Sequence, residues 1–147
     1  RGEARLRVAV GEGRGWRGDH LSRTDAYVKV VFGGHQARTA TAWNEERPRW
    51  GVVLDLGAVE LPPGARLRVE VWDEDNGWDD DLLGACEEPL VAGGQRAVVC
   101  YPGGGRLRFG SRAPCGPSLG GPVCHDYVPQ PPEGDGQLYR SSRWPPG

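Results

Sequence analysis

Short apolar runs with a period of two, each closed by turn residues, recur along this chain, and that pattern more than any other limits what it can fold into. Residues 4–10, A-R-L-R-V-A-V, are the clearest case. Leu6, Val8 and Val10 fall on one face and Arg5, Arg7 and Ala9 on the other, as a half-buried strand requires. Residues 25–32, D-A-Y-V-K-V-V-F, read as a second strand ended by Gly33-Gly34, with 35–41 as its hairpin partner. Further strands are expected over 50–56, 66–72, 82–86, 97–100 and 106–110. A turn-rich loop over 11–24, a polar loop over 43–48 and the Pro62-Pro63-Gly64 turn separate them. Helix-period apolar patterns are scarce, and 24 Gly and 13 Pro punctuate the runs. The expected fold class is therefore all-β: an eight-stranded antiparallel β-sandwich, four strands on four.

A length of 147 residues suits one domain and is too short for two ordinary ones. After Ser111 the alternation dissolves into Pro, Gly and Arg, so a domain over 1–111 and an extension over 112–147 are expected, poorly ordered past its Cys-bounded loop. Tyr127, Tyr139 and Trp144 would pin that tail to the sandwich. The net charge of −2, with 17 scattered Arg among 18 basic residues, gives no footprint for nucleic acid. No apolar stretch approaches the roughly 18 residues of a spanning helix, so a membrane contact would be peripheral. Arg1 opens the sequence without Met or signal peptide, and a fragment or processed product is expected. Neither G-x-S-x-G nor H-E-x-x-H occurs, and His20, His35 and His125 lack a nucleophile partner, so no enzyme is expected.

The chemistry concentrates in residues 72–84, W-D-E-D-N-G-W-D-D-D-L-L-G. Asp73 and Asp75, two residues apart at the end of a strand, point to one side. The Asn76-Gly77 pair can turn the chain back and bring Asp79, Asp80 and Asp81 towards them. Five aspartates in nine residues repel one another unless water or a hard cation neutralises them. Oxygen-only ligands point to calcium rather than to zinc or copper. A solvated acidic loop is the plainer reading, but it gives no reason for Trp78 inside the cluster. Asp19 and Asp25 bracket the loop after the first strand, which in a Greek-key sandwich can meet the loop after the fifth. Trp43, Trp50 and Trp72 read as core or sheet-surface residues, and Trp16 and Trp78 as the candidates for lipid.

Four cysteines, Cys86, Cys100, Cys115 and Cys124, lack C-x-x-C spacing. Cys115, Cys124 and His125 could supply three metal ligands, but no second paired spacing accompanies them. Two local disulfides, Cys86 with Cys100 and Cys115 with Cys124, each closing a short loop, are the better reading and imply an oxidising, secretory or extracellular compartment.

The blocks T-D-A-Y-V-K-V and V-E-V-W-D-E-D-N-G-W-D-D-D-L-L-G, in that order after R-L-R-V-A-V, resemble a C2 domain over roughly residues 4–111. With F-G-G-H-Q-A-R-T-A-T-A-W-N and C-H-D-Y-V-P-Q, the chain is similar more narrowly, to about residue 130, to the C-terminal C2 domains of perforin-like pore-forming proteins of cytotoxic lymphocytes. The resemblance implies a C2 fold of type II topology, in which the last strand takes the slot that a first strand fills elsewhere. It implies two or more calcium ions held by Asp19, Asp25, Asp73, Asp75 and Asp81, with Asp79 and Asp80 as additional ligands. It implies docking on a phospholipid surface, with lipid-entering aromatics in the loops. Here Trp78 is kept, while Arg17, His20 and Asn76 stand where aromatics are expected and Trp16 lies next door as a substitute. Arg14, Arg17 and Arg23 would add phosphate contacts. By the same resemblance the protein is stored in a secretory granule and secreted for cytolysis in immune defence, with a pore-forming domain upstream of this chain. A C2 unit can instead serve as a calcium-independent protein-interaction module.

Overall fold

The computed structural model describes residues 3–16, 24–75 and 79–114. Within them run β1 (Glu3–Arg14), β2 (Ala26–Phe32), β3 (His35–Arg38), β4 (Arg49–Glu60), β5 (Arg66–Asp73), β6 (Asp81–Pro89), β7 (Gly93–Cys100) and β8 (Arg106–Ala113). A single 3₁₀ turn, Pro102–Gly104, precedes β8. The strands pair antiparallel into two four-stranded sheets, ordered β4-β1-β8-β7 and β3-β2-β5-β6. All eight expected strands are present, and β8 lies beside β1 as the type II arrangement requires.

The inward faces of the four central strands, β1, β8, β2 and β5, supply most of the core. Leu6, Val8 and Val10 of β1 and Leu107 and Phe109 of β8 face Val28 and Val30 of β2 and Leu67, Val69 and Val71 of β5 across the gap between the sheets. Burying a branched aliphatic side chain contributes about 1.5–3 kcal/mol, so these β-branched and Leu positions hold the sheets together. Most strands overrun their expected ends, whereas β3 stops at Arg38, short of the expected 41. Residues 11–14, read as the start of a loop, continue β1 because a register shift between Val10 and Gly13 absorbs an extra residue and lets pairing with β8 resume at Gly13 and Arg14.

Cys86 of β6 and Cys100 of β7 form a disulfide, with 6.5 Å between their Cα atoms, and so join edge strands of opposite sheets. Beside it, the Gly84 of the D-L-L-G block lies against the 3₁₀ turn, where a Cβ would collide with the backbone of Pro102 and Gly103. That glycine is required by a close backbone approach. The expected Cys115–Cys124 pair lies outside the described residues. Among the described residues no helix is long and apolar enough to cross a membrane.

Antiparallel order sends the connections that leave β1, β3, β5 and β7 to one end of the sandwich, as the pairs Arg14 with Arg106, Ala26 with Asp73 and Asp73 with Asp81 show. The acidic residues are gathered at that end.

Candidate functional site

Asp25 ends the first connection and Asp73 ends β5, and the pairing of β2 with β5 sets them side by side. The Asp25 N–H donates to Asp73 Oδ1 over 2.9 Å, and the Glu74 N–H donates to the Asp25 carbonyl over 2.8 Å. The two acid-bearing segments are thus tied together through their backbones, and the carboxylates follow. Asp73 is half-buried, and its carboxyl is pushed above the usual aspartate range. Burial is the first cause, and the negative charges of Asp25, Asp81 and Asp75 add to it against the Asp25 N–H. Asp25, Asp73, Asp75 and Asp81 therefore share one field.

Asp80 behaves in the opposite sense. Its Oδ2 accepts the Tyr27 hydroxyl at 2.7 Å and its Oδ1 accepts the Asp75 N–H at 3.1 Å. The Tyr27 bond first, and the Asp75 N–H next, hold its carboxyl below the usual range. Tyr27 in turn is pushed up to about 12 by burial and by that bond to Asp80. Asp79 is exposed at the start of the run. Asp19, Arg17, His20 and Trp78 lie outside the described residues.

A hard cation suits this chemistry. The donors are carboxylate oxygens, and Asp73 holds a partly desolvated charge whose neighbours are also negative. Asp73, Asp25, Asp75 and Asp81 are the residues that would hold it. Among the described residues no three acidic, His or Cys side chains are gathered into a metal-ligand group.

Under the loops, the outer face of the second sheet carries an aromatic ladder that sequence alone did not reveal. Tyr27 and Trp72, paired across β2 and β5, stack with ring centres 6.5 Å apart and planes 7° from parallel. The Arg38 guanidinium lies 3.5 Å from the Tyr27 ring centre, and Lys29 Nζ 5.9 Å from that of Trp72. Arg38 also reaches Glu74 at 3.5 Å, and Thr41 hydrogen-bonds the same carboxylate. This ladder braces the roots of the acidic connections.

The tryptophans are distributed differently from the expectation. Trp16, expected as a lipid-facing substitute, is only 7% exposed and belongs to the core. Its indole fills a slot lined by backbone: a Cβ added at Gly13 or Gly105 would overlap the ring. Its Nε1–H donates to the Pro102 carbonyl over 2.8 Å, satisfying the polar end of the ring. With both face and polar edge occupied, it has nothing left to offer a membrane. Trp43, expected in the core or on a sheet surface, is 52% exposed on the connection between β3 and β4. Trp50 packs against the core, as expected, 6.5 Å from Trp16 between ring centres.

The C2 domain family model matches residues 4–101. Perforin-1 of Homo sapiens is 48% identical over 130 residues, which make up 88% of this chain and 23% of that protein. A solved C2 domain superposes with a TM-score of 0.67 at 31% identity, over 75% of this chain and 97% of its own. The calcium-bound pair of C2 domains from extended synaptotagmin 2 superposes with a TM-score of 0.63 at 21% identity, over 76% of this chain and 46% of that one, a likeness of fold. The chain spans about a quarter of the length of the curated perforin-1 proteins it matches.

Proposed function

Since the chain belongs to the C2 domain family, we propose that it is a calcium-dependent module for docking on phospholipid membranes, working within a perforin-like pore-forming protein. The observation that carries this reading is the Asp25–Asp73 link, which holds acids of two separate connections in one field and leaves Asp73 partly desolvated among negative neighbours. Asp25, Asp73, Asp75 and Asp81 supply the described ligands, Asp79 stands close by in sequence, and Asp19 completes the set from the first connection. When bound, calcium cancels the negative charge that otherwise keeps this end of the sandwich out of a low-dielectric layer. Trp78, Arg17 and His20 border the same connections in sequence, with Trp78 as the wedge and Arg17 as a phosphate contact.

This reading places the chain outside the cell or in a secretory granule, in accord with the Cys86–Cys100 disulfide. A carboxylate site at the end of the sandwich binds calcium weakly, on the order of 10⁻⁴ to 10⁻³ M, as extracellular modules do. Co-sedimentation with phosphatidylcholine vesicles, in calcium and in chelator, tests the proposal. Binding in calcium alone supports it. In a second reading the chain is a protein-interaction unit indifferent to calcium. Equal behaviour in calcium and in chelator, with no heat of calcium binding, would select that one.

A further inference from the structure

Trp43 is left unexplained by the acid cluster and by the core. It is 52% exposed, a large apolar ring held in water on the connection between β3 and β4, which bears none of the candidate ligands. Three hydrogen bonds fix the backbone on either side of it. The Ala42 N–H donates to the Ala26 carbonyl over 2.8 Å, the Asn44 N–H to Asp25 Oδ1 over 2.5 Å, and the Glu45 N–H to the Thr24 carbonyl over 3.0 Å. Asn44 takes a positive φ of 53°, a turn conformation that Asn tolerates better than most residues. Residues 42–45 are in effect zipped onto residues 24–26, with Trp43 at the crest.

Two of those contacts matter for function. Asp25 receives the Asn44 N–H on its side chain and gives its own N–H to Asp73. The indole and the carboxylate pair therefore stand on one frame, and a cation drawn to Asp25 and Asp73 anchors the connection that carries Trp43. Leu82, at the start of β6, and Tyr101, just after β7, are exposed at 46% and 67% at the same end of the sandwich. Large apolar side chains thus stand exposed at the acidic end of the sandwich on two connections and at the start of β6. A protein partner would have to match negative charge and scattered apolar rings together. A membrane needs only the charge cancelled, and an indole is well suited to the boundary between headgroups and acyl chains.

We infer that Trp43 is a lipid-inserting anchor of this module, presented by the connection between β3 and β4 and locked to the calcium site through Asn44 and Asp25. The inference rests on the proposed calcium-dependent docking and adds a third connection to the membrane-contacting surface.

The test compares the full chain with Trp43→Ala and Trp43→Phe on phosphatidylcholine vesicles in saturating calcium, with and without brominated acyl chains. Loss of one inserted aromatic ring lowers vesicle affinity about tenfold or more. Trp43→Ala is expected to show that loss together with reduced quenching by brominated lipid, and Trp43→Phe to recover most of the affinity. Calcium affinity without lipid is read alongside. Equal vesicle binding by Trp43→Ala and the unaltered chain overturns the inference while leaving calcium-dependent docking intact. A fall in lipid-free calcium affinity by the same factor also overturns it, since Trp43 would then act by holding the site together. If the unaltered chain binds no vesicles in calcium, the docking proposal falls, and the anchor with it.

Discussion

The hydroxyl of Tyr27 and the carboxylate of Asp80 meet at 2.7 Å, joining β2 to the acidic connection before β6. Asp80 gives its other oxygen to the Asp75 N–H, so it serves as a brace for the run of aspartates as well as a member of it. Asp80→Asn is expected to keep calcium affinity within about threefold of the unaltered chain, whereas Asp73→Asn lowers it by more than about tenfold. Calorimetric titration of the two variants checks the ranking, and equal losses would put Asp80 among the principal ligands. Tyr27→Phe removes the brace and is expected to lower stability by about 1 kcal/mol in urea unfolding. Because the folded Asp80 carboxyl lies below its usual range, its contribution is complete above the ordinary aspartate pKa and is lost as pH falls through the depressed value. The Tyr27→Phe deficit should accordingly shrink in strong acid.

Trp16 packs in its glycine slot with its nitrogen satisfied, so Trp16→Ala is expected to cost about 3–5 kcal/mol of stability. Gly105→Ala should also destabilise, because a methyl group there needs the space the indole occupies. Chemical denaturation of both variants is the measurement. A stably folded Trp16→Ala with impaired vesicle binding would return Trp16 to the lipid-contacting set.

The contrast between Trp16 and Trp43 shows where the sequence was legible. Leu6, Val8 and Val10 announce their burial because a strand with one buried face must alternate, and β1, β5 and β8 follow from that rule. The place of Asp73 at the end of β5, beside the first connection, was readable because strand pairing and residue spacing fix where a strand-end side chain stands. Trp16 was not, since its slot exists only where β1 and the turn before β8 meet, nearly the length of the domain apart in sequence. Trp43 was not either: its exposure depends on hydrogen bonds to Thr24, Asp25 and Ala26, and such zippers leave no period behind. Gly11 and Gly13 looked like turn residues, yet the register shift in β1 carries the strand through them.

The disulfide between Cys86 and Cys100 closes a loop of sequence separation 14 and clamps β6 to β7 across the open edge of the sandwich. Cross-linking a loop of that size stabilises by about 3 kcal/mol. The Cys86→Ala, Cys100→Ala double variant is therefore expected to lose about that much in urea unfolding. A larger loss is expected if Leu83 and Gly84 also come away from the 3₁₀ turn that follows Cys100. Peptide mapping of the unaltered chain should find Cys86 joined to Cys100, and a peptide joining Cys86 to Cys115 or Cys124 would contradict this pairing.

Calcium affinity should weaken in mild acid, and Asp73 supplies the reason. Its folded-state pKa is raised, so it takes up a proton at a higher pH than an ordinary aspartate, and a protonated carboxyl cannot serve as an ionised ligand. The sign for stability is the reverse of that for Asp80. The calcium-free fold carries an uncompensated charge on Asp73 at neutral pH, and proton uptake relieves it as pH falls through the raised value towards the ordinary one. Asp73 protonation therefore opposes calcium while favouring the calcium-free fold. Between pH 7 and about pH 4, the ordinary aspartate range, the calcium affinity is expected to fall, and vesicle binding at fixed calcium to fall with it. Titration by calorimetry at the two pH values reads the first effect, and thermal unfolding in chelator reads the second. A His20→Gln variant separates any imidazole charge in the first connection from the carboxylates. Equal affinity at both pH values would mean that Asp73 is not a ligand coupled to Asp25, Asp75 and Asp81.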